Sequence, residues 1–143
     1  MVASRGSTST ARFRYTSDTV FDTFPWPQSP TLAQVKAVAE AARSLRALRC
    51  EIMAANGWSL CDFYRTFETP GTNRLREAHA TLDSAVRSAY GMKDSEDTLA
   101  FLLGLNLELA DKAAGGQSIT PPSSPARISD CEDVVSPDCI PIQ

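Results

Sequence analysis

From Pro30 to Gly116 the chain repeats apolar residues three or four apart and breaks the pattern with glycine at 57, 71, 91, 115 and 116, which is the rhythm of several short amphipathic helices. Thr31 precedes the first run, and Gln34 follows three residues later as the partner a capping box needs. Leu32, Val35, Val38, Ala39, Ala42, Leu45 and Ile52 recur near the helical period, while Lys36, Glu40, Arg43, Arg46 and Arg49 fill much of the remainder. The spacing predicts one helix of about 24 residues, closed by Asn56-Gly57. A short helix is expected from Ser59 to about Phe67, with Asp62 answering the Ser59 cap, before Pro70-Gly71 interrupts. Thr72 is then expected to cap a third helix whose Leu75, Ala78, Leu82, Ala85, Val86 and Ala89 form a stripe ending at Tyr90-Gly91. Asp94 or Ser95 is expected to cap a fourth, with Leu99, Leu102, Leu103, Leu105 and Leu109 as its apolar face, until Gly115-Gly116 stops it.

Before these helices the chain reads differently. Residues 1–11 are small and polar and are expected to be disordered. In Arg12-Phe13-Arg14-Tyr15 charge and aromatic alternate, the period of an extended strand with its rings on one face and its arginines on the other. Thr19 to Phe24 reads as a second extended stretch, and Pro25-Trp26-Pro27 holds φ on both sides of the tryptophan and forbids a helix. Residues 12–30 are therefore expected to form an extended connector, 31–114 a helical module, and 115–143, with proline at 121, 122, 125, 137 and 141, a disordered tail. The fold class is mainly α: a short extended, β-like lead-in followed by a small bundle of about four helices.

Composition narrows the function classes. Of the 143 residues 43% are hydrophobic and 22% charged, an ordinary globular balance, and no apolar run approaches the ~20 residues that span a bilayer. A net charge of −3 argues against a free-standing, strongly basic nucleic-acid binder. The charge is uneven, with seven basic and three acidic side chains in residues 1–49 and one basic against four acidic from Gln117 onward, so an anionic partner would meet the front of the chain. Cys50, Cys61, Cys131 and Cys139 form no C-x-x-C pair, and His79 is the lone histidine, so neither a zinc site nor a redox motif is supported. Reduced thiols in the cytoplasm are the expectation. The Ser/Thr/Arg-rich start has the composition of an organellar transit peptide without a clear amphipathic helix, and a frayed or truncated terminus explains it more simply.

No arrangement carries chemistry. His79 and Asp83 are one helical turn apart, the spacing of a surface pair, and no serine sits in a nucleophile elbow. The carboxylates fall at helix starts and on polar faces, Gly57, Gly71, Gly91 and Gly115 where a helix ends or turns, and neither a P-loop nor a dinucleotide fingerprint is present. Arg43, Arg46 and Arg49 share a side of the first helix and, with Arg12 and Arg14, are the candidates for touching nucleic acid. No catalytic, cofactor-binding or metal-ligating residue is assigned.

Several runs taken in order carry a resemblance. Arg12-Phe13-Arg14-Tyr15 followed by Val20-Phe21-Asp22-Thr23-Phe24-Pro25-Trp26-Pro27 resembles the junction after the target-recognition domain in the large adenine-specific DNA methyltransferases related to the single-chain type II restriction–modification enzymes. The resemblance continues through Thr31-Leu32-Ala33-Gln34-Val35, Ser59-Leu60-Cys61-Asp62-Phe63-Tyr64, the run from Leu75 to Val86 with Ala89-Tyr90-Gly91, and Asp97-Thr98-Leu99-Ala100-Phe101-Leu102-Leu103. It spans about residues 12–110, and Asp22 stands where that family usually has Asn. The glycine-rich loop that holds S-adenosylmethionine and the Asn-Pro-Pro-Tyr motif that holds the flipped adenine have no counterpart in these residues.

What the resemblance implies is a C-terminal helical segment that packs on the recognition domain of a site-specific adenine-N6 methyltransferase, docking through Phe24 and Trp26. S-adenosylmethionine would then be bound elsewhere in the assembly, and DNA would be met through it, with Arg12 and Arg14 near the phosphates. The alternative is a stand-alone helical protein-interaction module, or a decayed gene fragment, without enzymatic activity.

Overall fold

The computed structural model describes residues 8–9, 12–13, 20–21 and 23–121, with side chains from residue 20 onward. Within that range the protein is mainly α-helical. The helices are α1 (Leu32–Asn56), α2 (Leu60–Arg65), α3 (Arg74–Tyr90) and α4 (Thr98–Ala114), and a 3-10 turn, Thr66–Glu68, extends α2. At the N-terminal end, Thr8–Ser9 and Arg12–Phe13 pair antiparallel over two residues each, too short to add a layer. The rest of the expected strand, Arg14 and Tyr15, lies outside the described residues.

The chain divides into two compact units, Pro30–Gly91 and the combination of Met1–Ser29 with Met92–Gln143. In the first, the local signals act largely as expected. The Thr31 hydroxyl accepts from the Gln34 N–H while the Gln34 side chain accepts from the Thr31 N–H, and at the far end Gly57 takes φ 63°, a left-handed cap that a Cβ would disfavour. Ser59 and Asp62 make the same reciprocal box for α2. The cap of α3 is Asn73 rather than Thr72: its side-chain oxygen accepts from the N–H groups of Leu75 and Arg76, and its Nδ2 donates to the Thr66 carbonyl at 2.5 Å. The Asn73 amide serves the helix through its oxygen and the preceding turn through its nitrogen. Arg76 completes this turn, donating from Nη1 to the Phe67 and Thr69 carbonyls, each at 2.8 Å, and from Nη2 to the Gly71 carbonyl.

The core of this unit takes one residue from each helix. Leu45 of α1, Phe63 of α2 and Leu75 of α3 are buried together, with Ile52, Met53, Tyr64, Ala78 and Leu82 packed around them. Gln34 at the start of α1 donates to the Ser88 carbonyl near the end of α3 at 2.7 Å, and Arg74 at the start of α3 meets Glu51 near the end of α1 at 3.3 Å, so the two long helices run antiparallel. The Arg74–Glu51 pair is exposed on both sides and stabilises by at most about 1 kcal/mol.

In the second unit α4 starts at Asp97, whose carboxylate accepts from the Ala100 N–H, and not at Asp94 or Ser95. A preceding turn displaces the start: the Lys93 N–H donates to the Glu96 side chain at 2.6 Å and the Glu96 N–H to the Lys93 carbonyl at 3.1 Å. One face of α4 is covered, with Leu109 buried and Phe101, Leu102 and Leu105 half-buried; Leu99, Leu103 and Leu107 stay exposed. Leu99 and Leu103 therefore do not lie on the covered face where the sequence placed them. The chain does not leave the fold at Gly115. Thr120 donates its N–H to the Gln28 side chain at 2.8 Å and its hydroxyl to the Gln28 carbonyl at 3.0 Å, and residues 122–143 of the expected tail lie outside the described residues.

Candidate docking site

Phe21 and the residues from Thr23 to Trp26 fold back on one another where an extended connector was expected. The Phe24 N–H donates to the Phe21 carbonyl at 3.2 Å and the Trp26 N–H to the Phe24 carbonyl at 3.0 Å, two successive tight turns. Their effect is to gather three rings. Trp26 sits between Phe21, at 5.2 Å between centroids and 66° between planes, and Phe24, at 5.3 Å and 68°. Both are the edge-to-face arrangement that aromatic quadrupoles favour. The Trp26 Nε1–H reaches the Phe21 carbonyl at 3.4 Å.

The cluster is fixed from outside the run. The Thr23 carbonyl accepts from Asn106 Nδ2 of α4 at 3.0 Å, and the Trp26 carbonyl from Gln28 Nε2 at 2.8 Å; the same nitrogen also reaches the Thr120 carbonyl at 3.3 Å. Pro25 is buried and Trp26 half-buried, while Phe21 and Phe24 remain 40% exposed. Phe24 and Trp26, singled out from sequence, are thus brought together as a supported aromatic knuckle with an open side. Phe21, Gln28, Asn106 and Thr120 were not singled out, and a contact between residues 92 apart leaves no local signal.

The other candidates are placed elsewhere or not at all. The side chain of Arg12 and all of Arg14 lie outside the described residues. On α1, Arg43 is held by Glu40 at 2.6 Å, Arg46 is also engaged, and Arg49 is half-buried, so the three do not present a row of open guanidinium groups. His79 is turned toward Tyr64 instead of Asp83. Its Nε2 lies 3.2 Å from the Tyr64 hydroxyl, and its ring makes edge contacts with Tyr64 at 5.7 Å and Phe67 at 5.6 Å, because α2 and its 3-10 extension lie over that turn of α3. The ring of His79 is thus packed against aromatic side chains.

Two ionisations are displaced by their surroundings. The Asp62 carboxyl is held below its ordinary range, first by the Ser59 hydroxyl, then by the Ser59 N–H and the Arg65 guanidinium, with slight burial opposing. Burial pushes the Tyr90 phenol up. Both groups belong to helix ends rather than to a cleft. Among the described residues no group of three or more His, Cys, Asp or Glu could hold a metal ion, and no helix is long and apolar enough to cross a membrane. Comparison with family models, curated proteins and solved structures returns no match to this chain.

Proposed function

We propose that this chain is the C-terminal helical accessory module of an S-adenosylmethionine-dependent, site-specific DNA adenine-N6 methyltransferase, working in the cytoplasm. In this reading Phe24 and Trp26 dock on the target-recognition domain. Methyl transfer belongs to a catalytic domain carrying the glycine-rich loop and the Asn-Pro-Pro-Tyr motif, and Arg12 and Arg14 lie near the DNA backbone. The ordered resemblance across residues 12–110 motivates the reading, and the observation that carries it is the aromatic knuckle. Three rings braced by Gln28, Asn106 and Thr120, two of them 40% exposed, form a pre-ordered apolar anchor of the kind that dominates protein interfaces. A helical module that docks is consistent with its small core, since few fully buried side chains stabilise a small unit.

The test is affinity capture from the source cell with the full chain and with a Phe24→Ser/Trp26→Ala double variant. The expected result is recovery of a polypeptide bearing both methyltransferase motifs, in a complex that methylates adenine in DNA, and its loss with the double variant. Capture of no such polypeptide, or capture that the double variant leaves intact, refutes the reading. The second reading, a stand-alone interaction module without enzymatic activity, draws on the exposed leucines of α4, and methyl transfer by the captured complex would exclude it.

A further inference from the structure

Beyond α4 the chain comes back to the aromatic knuckle and leaves beside it. Gln28 engages Thr120 with both ends of its amide: Oε1 accepts from the Thr120 N–H at 2.8 Å, and Nε2 donates to the Thr120 carbonyl at 3.3 Å. The same Nε2 donates to the Trp26 carbonyl at 2.8 Å, so in passing from N–H to C=O at Thr120 the backbone advances toward the tryptophan. Thr120 and Pro121 each precede a proline, which favours extended backbone at both and carries this heading onward. Pro121 is exposed, and residues 122–125 read Pro-Ser-Ser-Pro.

We propose that residues 122–125 of this chain lie across the open side of the knuckle as a polyproline II turn. Two prolines three apart fall on one face of such a helix, about 9 Å from each other at about 3.1 Å per residue. Phe21 and Phe24, at 5.2 and 5.3 Å from Trp26 and each 40% exposed, offer their rings over at most about 10 Å, a matching span. Pro-x-x-Pro segments suit aromatic surfaces because the proline rings are apolar and the backbone is ordered before it binds, so little entropy is lost. Placement selects this segment over the rest of the chain. The tether from the Thr120 carbonyl to Pro122 is a single residue, which keeps the local concentration on the order of millimolar. A contact whose intrinsic dissociation constant is on the order of 0.1 mM is then mostly formed. In the free chain the tail thus caps the surface through which the module docks, and a docking partner has to displace it. That consequence rests on the docking reading given above, whereas the contact itself is a property of the free chain.

The test uses the full chain. Trp58 is the other tryptophan and is exposed, so Trp58→Phe leaves fluorescence that reports on Trp26 alone. In that background acrylamide quenching of Trp26 is expected to rise roughly twofold when Pro122→Gly/Pro125→Gly is added, with the helical circular dichroism unchanged. Proton NMR of the unsubstituted chain is expected to show Overhauser contacts between the ring of Phe21 or Phe24 and the rings of Pro122 and Pro125. Quenching that the glycine variant leaves unchanged overturns the proposal, and so does the absence of those contacts. Protection of Trp26 that grows with protein concentration between about 1 and about 100 μM would make the occupant the tail of a second copy, which also overturns it. No methyltransferase partner enters these measurements, so the tail contact and the methyltransferase reading fail separately.

Discussion

Asp62 shows how one side chain can be given a measurable consequence. Its carboxylate accepts from the Ser59 hydroxyl at 2.6 Å and the Ser59 N–H at 3.2 Å, and its folded-state ionisation is lowered as a result. A carboxyl whose folded value is depressed contributes stability above its unfolded value of about 4, and that contribution is lost as pH falls through the lower folded value. Titration followed by carboxyl NMR should therefore show the Asp62 signal moving at lower pH than an unstructured aspartate, and Ser59→Ala should bring it back toward the ordinary range. Burial gives a second residue-scale contrast. Phe63 is 1% exposed and Leu60, on the same helix, 50%. Phe63→Ala is expected to cost about 3–5 kcal/mol in denaturant unfolding, and Leu60→Ala less than about 1. Equal losses would show that the two sites had been assigned the wrong environments.

Among elements, the helices were legible because their signals are local. Thr31 with Gln34, Ser59 with Asp62, and the glycines after Asn56 and Tyr90 set boundaries within a residue or two of those found. Which face of each helix is covered was less legible. Along α1 the buried residues are Ala41, Leu45 and Leu48, whereas Ala39 and Ala42, which fit an apolar stripe equally well, are exposed. An alanine-rich helix has no sharp edge between its faces, so periodicity alone cannot orient it. The starts of α3 and α4 slipped by one to three residues, because Asn73 and Glu96 serve turns that a capping rule applied to the helix alone does not consider. Asn73→Ala removes a cap and a tie to the Thr66 carbonyl at once; the expected cost is about 1–3 kcal/mol, larger than for Thr72→Ala, and thermal unfolding of the two variants would rank them.

On the scale of the whole chain, the knuckle could be suspected from Phe24-Pro25-Trp26-Pro27, but the way it is held could not. Its supports come from Asn106 and from Thr120, far along the sequence, and side-chain amides reaching backbone carbonyls leave no composition signature. Gln28→Ala deletes the two side-chain bonds of the tie and leaves the Thr120 hydroxyl on the residue-28 carbonyl, and hydrogen exchange at the Thr120 amide should then accelerate roughly tenfold, with little change in the α1 amides. Thiol chemistry gives a second molecule-wide observation. Cys50 and Cys61 are both free and exposed, so a thiol reagent should modify both in the native protein, and peptide mapping would locate them.

The Gln28–Thr120 tie also decides how the molecule bears load. Among the described residues α1 to α4 all lie between those two positions in the sequence, so tension applied at Gln28 and Thr120 reaches these helices only after the hydrogen bonds joining Gln28 to Thr120, and Thr23 to Asn106, have parted. In an optical trap the first event on stretching would be a small extension at low force as this latch opens, with the helical rips following it.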